Sequence, residues 1–204
     1  MENCWIFGAG SFYGLRTKPA HGDLVIAADG GLEYCAAAGV VPDLIVGDFD
    51  SLAKIPEREN VIRLPVEKDD TDMLAAIRIG LNRGYRRFQL YGGTGGKRPE
   101  HTLANLQCLL FLAKHGAVGW LYDETTVCTV LRNGTLNFPA EQRGNLSVFA
   151  MDGSASGIDL RGLKYGLEDA VLTPDFPLGV SNSFTGEAAE ITVRKGTLLI
   201  WYDL

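Results

Sequence analysis

Three runs in this chain set carboxylates at the ends of apolar segments. Asp29-Gly30-Gly31 follows Leu24–Ala28, and Gly47-Asp48-Phe49-Asp50-Ser51 follows Leu44–Val46. Lys68-Asp69-Asp70-Thr71-Asp72 leads into a helical pattern. Two acids two residues apart in extended chain point the same way. Like charges held together cost free energy unless a cation lies between them. Asp48 and Asp50 therefore read either as ligands of a divalent metal or as an Asp-rich turn capping a strand. One acid suffices to cap a helix, so the three between Asp69 and Asp72 exceed that need. A fourth run, Gly92-Gly93-Thr94-Gly95-Gly96-Lys97-Arg98-Pro99-Glu100-His101, holds four glycines in five residues. Glycine allows close backbone approach and positive φ. Lys97, Arg98 and His101 add cations, and a following helix start favours an anion. The spacing is not that of a Walker A loop. Carboxylate oxygens suit Mg²⁺ shared with substrate phosphates, and glycine with arginine suits the phosphates themselves. The combination indicates ATP-dependent group transfer, in which metal and cations stabilise charge developing on phosphoryl oxygens.

These residues need a scaffold that brings them to one place. Apolar runs at Cys4–Phe7, Leu24–Ala28, Leu44–Val46, Val61–Leu64, Phe88–Tyr91 and Val118–Tyr122 read as strands. Helical patterns lie between them: Leu32–Ala38 stopped by Gly39, Met73–Leu81 stopped by Gly84, and Thr102 to about Lys114. Leu103, Leu106, Leu110 and Leu112 form the expected apolar face of the last. Asp69 or Asp70 is the expected N-cap of the second. Alternating strands and helices imply a mostly parallel, Rossmann-like sheet with flanking helices, whose carboxyl edge carries the ligand. Gly8-Ala9-Gly10-Ser11 after the first strand is by itself a weak phosphate signal.

The pattern changes near residue 124. Short strand-like runs then follow one another, and no helical period appears. Asn133-Gly134 reads as a hairpin turn, Lys195-Gly196 as another tight turn, and Gly153–Glu168 as a loop excursion. The expected organisation is an α/β nucleotide-binding catalytic domain at 1–123 and a small all-β, sandwich- or barrel-like domain at 124–204.

The 204 residues carry a formal net charge of −6, with 22% charged and 46% hydrophobic residues and no Lys/Arg-rich run. That balance disfavours nucleic acid as the main partner. No apolar stretch approaches the ~20 residues of a membrane helix, and no signal segment precedes the first strand. A cytoplasmic location without membrane association is expected. Cys4, Cys35, Cys108 and Cys128 lack any CxxC pattern and read as buried reduced thiols.

The four runs occur in an order that resembles the thiamine pyrophosphokinase family. They are joined by Leu103-Ala104-Asn105 after the glycine loop and by Ser181-Asn182 in the β region. The similarity spans nearly the whole chain. It implies transfer of the pyrophosphoryl group of ATP to the hydroxyethyl oxygen of thiamine, with Mg²⁺, in a homodimer whose active sites lie between subunits. Carried over by motif, Asp48, Asp50 and Asp72 are metal and catalytic acids, joined in catalysis by Arg98. Asp29, Gly30, Lys68, Asp69, Thr71, Gly95, Gly96, Arg98 and His101 are ATP-side residues. Ser181, Asn182 and Glu100 are thiamine-side residues, the two former in the thiamine-binding β domain. The family pattern Gly-Gly-Arg-x-Asp-His is altered here to Gly-Gly-Lys-Arg-Pro-Glu-His. Two other readings fit the same acids: a Mg²⁺-dependent pyrophosphokinase for another small alcohol, and a non-catalytic thiamine or nucleotide sensor.

Overall fold

A computed structural model describes residues 2–47, 60–63, 65 and 70–204. The chain divides into two compact units, Met1–Glu124 and Thr125–Leu204.

Among the described residues the first unit has six strands: β1 (Cys4–Phe7), β2 (Leu24–Ala28), β3 (Leu44–Gly47), β4 (Val61–Arg63), β5 (Arg87–Tyr91) and β6 (Val118–Tyr122). Their order is β6-β5-β1-β2-β3-β4, and every neighbouring pair is parallel. β1, β2 and β3 are buried at every position, as strands covered on both faces must be. Helices α1 (Gly31–Ala37), α2 (Asp72–Asn82) and α3 (Pro99–Lys114) lie among them. On one face Cys35 of α1 packs with Trp5, Phe7, Val25, Ala27 and Tyr91. On the other, Gly80 of α2 lies so close to the sheet that an added Cβ would meet Phe88 and Cys4 within 2.8 Å. Gly119 of β6 is pressed in the same way by Leu112 and Leu109 of α3.

Local chemistry sets the helix ends. Thr71, rather than Asp69 or Asp70, is the N-cap of α2: its extended backbone lets Oγ1 accept from the Leu74 N–H at 3.2 Å. Asp70 instead pairs with Arg78 at 2.8 Å, and Asp69 lies outside the described residues. Gly39 and Gly84 follow α1 and α2 at φ of 66° and 92°. α3 begins three residues earlier than expected, at Pro99, which suits the first helical position. Its buried residues are Asn105, Cys108, Leu109 and Leu112. Leu103, expected on the apolar face, is 58% exposed.

The second unit contains β7 (Thr126–Phe138), β8 (Asn145–Ala150), β9 (Ala155–Arg161), β10 (Leu167–Leu172), β11 (Asn182–Ser183) and β12 (Ala189–Asp203), all antiparallel. Neither the expected hairpin nor the expected tight turn forms. Asn133-Gly134 lies inside β7 and Lys195-Gly196 inside β12, where the pairing register shifts between Val193 and Thr197. The residues that favour positive φ serve a bulge instead of a turn. Asn133 is at φ 46° and Gly196 at 114°, and the Gly196 N–H donates to Asn133 Oδ1 at 2.9 Å. Before this bend β12 pairs with β9, and after it with β8. Gly153–Glu168, expected as a loop, contains β9, because Ile158 and Leu160 join the apolar core of this unit.

One buried acid holds β9, β10 and β12 together. Asp159 is 3% exposed. It accepts the Asp169 N–H at 2.8 Å and meets Arg194 Nη2 at 2.6 Å. The Asp169 amide first, then the Arg194 guanidinium, hold its carboxyl below the usual range. A depressed folded pKa adds stability that is complete above the unfolded value and is lost as pH falls through the folded one. Asp159→Asn therefore lowers the melting temperature at neutral pH, and the gap to wild type narrows below about pH 4, near the unfolded aspartate pKa. Thermal melts between acid and neutral pH check this. A gap constant with pH would refute the charge role.

All four cysteines are buried free thiols. Burial pushes Cys35 and Cys108 up to about 12, and Cys4 and Cys128 further in the same direction, so none is a ready nucleophile at neutral pH. Among the described residues no helix is long and apolar enough to cross a membrane.

Candidate active site

Strand order decides where a site can form. The chain runs outward from β1 through β2 and β3 to β4, then returns to lay β5 on the other side of β1. At such a reversal the loops leaving neighbouring strands diverge and a crevice opens at the carboxyl edge. Here the diverging loops are Gly8–Ser11 after β1 and Gly92–Gly96 after β5. Both line a cavity of about 560 Å³, within the range of small-molecule sites.

The two loops bind each other before they bind anything else. The N–H groups of Gly8, Gly10 and Ser11 donate to the carbonyls of Tyr91, Gly92 and Thr94 at 2.8, 2.7 and 2.7 Å. A Cβ on Gly92 would fall 2.3 Å from the Gly8 carbonyl oxygen, and one on Gly10 2.6 Å from that of Thr94. These glycines are needed for loop-to-loop contact. Gly96 differs: at φ 78° an added Cβ would meet nothing nearer than Gly10 Cα at 3.8 Å. It is the glycine that leaves room on the cavity side. Gly92, Gly93 and Thr94 at the loop base are buried, whereas Gly95 to Arg98 are exposed.

Side chains from three further elements complete the lining. Asp29 follows β2 with φ 49°, a left-handed conformation that aspartate tolerates better than most residues. Its N–H donates to the Val46 carbonyl at 2.8 Å, fixing this strand end beside β3. Thr71 and Asp72 face the cavity from the start of α2, and Arg98 and His101 from the start of α3, with Lys97 beside them. Two acids and three nitrogen bases thus share one cavity.

Of the residues expected from sequence, Asp29, Thr71, Asp72, Gly95, Gly96, Arg98 and His101 come together here. Asp48, Asp50, Lys68 and Asp69 lie outside the described residues; Asp48 directly follows Gly47, the last residue of β3. Gly30 precedes α1 and packs against Ala9, its Cβ position 3.2 Å from the Ala9 methyl. Glu100 is not in the lining. It accepts from Arg98 Nε at 2.7 Å, and that hydrogen bond holds its carboxyl below the usual range.

Ser181 and Asn182 belong to the second unit. Ser181 is exposed, at φ 60°. Asn182 is 4% exposed. Its amide accepts from the Tyr165 N–H at 2.9 Å and donates to the Tyr165 carbonyl at 2.7 Å. In the structure Asn182 therefore staples the Tyr165 segment to β11.

Gly8, Ala9, Gly10 and Ser11, a weak signal in the sequence, also line the cavity, as do Asn105, a motif position with no role assigned to it, and Tyr34 and Met73, which sequence reasoning missed. Tyr34 donates to the Gly10 carbonyl at 2.6 Å and stacks on Phe12, a role no local pattern reveals.

The family model for the thiamin pyrophosphokinase catalytic domain matches residues 17–118, and that for the thiamin pyrophosphokinase vitamin B1 binding domain matches 134–198. A thiamine pyrophosphokinase of Bacillus subtilis is 27% identical over 184 residues, covering 87% of this chain and 86% of its own. Among solved structures, thiamine pyrophosphokinase from Bacillus subtilis superposes with a TM-score of 0.83 at 24% identity, over 99% of each chain. That likeness shows the fold. A thiamin pyrophosphokinase family protein from Enterococcus faecalis gives 0.82 at 26% identity, over 100% of this chain and 99% of its own. With its first unit matched by the catalytic-domain model over half the chain, and most of its second by the vitamin-binding one, this chain belongs to the thiamin pyrophosphokinase family.

Proposed function

We propose that the cavity between the β1 and β5 loops binds ATP and that the protein transfers its pyrophosphoryl group to thiamine, giving thiamine diphosphate and AMP. The observation that carries this reading is the convergence of two glycine loops, Asp29, Asp72 and Arg98 at the reversal of strand order, in a member of this family. The first unit is read as the Rossmann-like nucleotide domain. The second is the sandwich- or barrel-like thiamine domain, with Ser181, and the segment stapled by Asn182, on the thiamine side.

In this reading Gly95 and Gly96 bring backbone close to the phosphates, while Lys68, Thr71, Arg98 and His101 orient them. Glu100 acts through Arg98. The thiamine hydroxyl oxygen forms a bond to the β-phosphorus of ATP as the bond from that phosphorus to the oxygen bridging to the α-phosphate breaks. AMP leaves with the bridging electron pair, and the hydroxyl proton passes to one of Asp48, Asp50 or Asp72. The lining fits a magnesium ion, since Asp29 and Asp72 offer hard oxygen donors on the edge where β3 leads to Asp48. Asp48, Asp50 and Asp72 would hold it, and when bound it neutralises charge on the phosphoryl oxygens. The reaction is placed in a cytoplasmic homodimer, with the active sites between subunits. Incubation with ATP, Mg²⁺ and thiamine is expected to release AMP and thiamine diphosphate in equal amounts. A folded protein that binds ATP and releases no AMP would make it a sensor instead, and AMP release only with a different alcohol would reassign the acceptor.

A further inference from the structure

The geometry points to Asn105 as the residue that positions the glycine loop for nucleotide binding. Asn105 is on α3, two turns into the helix, and is 7% exposed. Burying an amide is costly unless it is hydrogen-bonded. Its Nδ2 donates to the Gly93 carbonyl at 2.7 Å, and the residue also lines the cavity. A Cβ on Gly93 would fall 3.2 Å from that nitrogen and 2.6 Å from Leu121, so the loop base is packed tightly around the bond. The next residue is fastened twice more. Thr94 Oγ1 donates to Asp123 at 3.0 Å, and the Thr94 carbonyl accepts from Ser11. Gly95 and Gly96 emerge immediately beyond these anchors. Their height above the sheet, and the aim of their backbone, therefore follow from where Gly93 and Thr94 are held. Of those anchors the Asn105 bond is the one made by a helix side chain that itself faces the cavity. This assignment rests on the cavity being the nucleotide site.

What position 105 must supply is a hydrogen-bond donor toward a carbonyl, and that can be tested by titration. Asn105→Asp keeps the shape but, when ionised, turns an oxygen lone pair on the Gly93 oxygen. Protonated, it donates an O–H and restores the bond. Burial beside an acceptor raises the pKa of such a carboxyl, so the switch falls in an accessible range. ATP affinity measured by calorimetry is the readout, with the wild type measured at each pH. Asn105→Asp is expected to bind ATP at least 10-fold more weakly than wild type at pH 8, with the gap closing to under threefold at pH 5.5. Asn105→Ala, which folds without a buried charge, is expected to show a similar loss at both pH values. A purely structural side chain would give no pH-dependent recovery. Affinities within twofold of wild type for both folded variants, or a gap in Asn105→Asp that does not change with pH, would overturn the assignment. If Asn105→Asp unfolds at pH 8, a loss under twofold in Asn105→Ala overturns it alone. Absence of AMP release by a wild type that binds ATP would refute the catalytic reading and leave this one standing.

Discussion

Asp72→Asn is expected to cut AMP release from ATP and thiamine by roughly 100-fold or more, the scale on which a charge acting in the transition state is felt. The substitution keeps the shape and removes only the charge. Asp72 is the first residue of α2 and lines the cavity. The helix does not depend on it for a cap, because Thr71 already accepts the Leu74 N–H. What the helix loses is a favourable charge near its N-terminus, worth about 0.3–1 kcal/mol. In a chain of this size that is a fall of a few degrees in melting temperature. Loss of turnover and retention of fold are therefore separable. Steady-state rates at saturating ATP and thiamine, beside a thermal melt, give both numbers. Turnover within threefold of wild type in the folded variant would remove Asp72 from the machinery.

The acids of the site were legible because they exceed what local structure needs. A helix start uses one cap, and Asp69 to Asp72 offer three carboxylates around Thr71. The Gly8–Ser11 loop was only weakly legible. A strand followed by Gly-x-Gly is common, and its meaning depends on which strand lies beside β1. Sequential strands usually neighbour one another, which would set β5 beside β4. The return of β5 to β1 is made by long-range packing, and it alone brings Gly10 within a hydrogen bond of Gly92. The glycines of the second loop were read in terms of a ligand. Gly92 is instead required by the Gly8 carbonyl, and only Gly96 keeps open space on the cavity side. Asn105 was visible in the sequence as a motif position, and its task appears only once α3 is seen over Gly93.

In the β unit, composition revealed the strands and misled about the turns. Asn-Gly and Lys-Gly carry the positive φ that a two-residue hairpin needs, yet a bulge in a continuous strand needs it too. Sequence does not distinguish them, because the difference is whether the flanking runs pair with each other. Here Leu131 and Leu136 of β7 both pair with β12, opposite Leu198 and Ile191, so the chain passes straight through the bend.

That bend predicts a second large effect. Gly196→Ala is expected to destabilise the β unit by about 3 kcal/mol or more, from two sources. At φ 114° an L side chain is strained by roughly 1–3 kcal/mol. The new methyl also has no room: its Cβ would lie 2.8 Å from Ala155 Cα, 2.9 Å from Ala155 Cβ and 3.1 Å from the Ser154 carbonyl oxygen. Those neighbours are at the start of β9, and Ala155 is fully buried. Overpacking of this kind costs about 1–3 kcal/mol. Asn133→Ala touches the same bend more gently. It removes the acceptor for the Gly196 N–H and the residue type that tolerates φ 46°, without inserting an atom into the core. Its cost should accordingly be smaller, and the double variant less than additive because both changes relax one bulge. Denaturant unfolding of the three variants reads all of this. Because β12 exchanges β9 for β8 across the bend, straightening it would break one pairing to keep the other. A Gly196→Ala protein within 1 kcal/mol of wild type would mean that the bulge yields freely, and that the bend is set by the packing of Leu198 and Ile200 beyond it rather than by the backbone at 133 and 196.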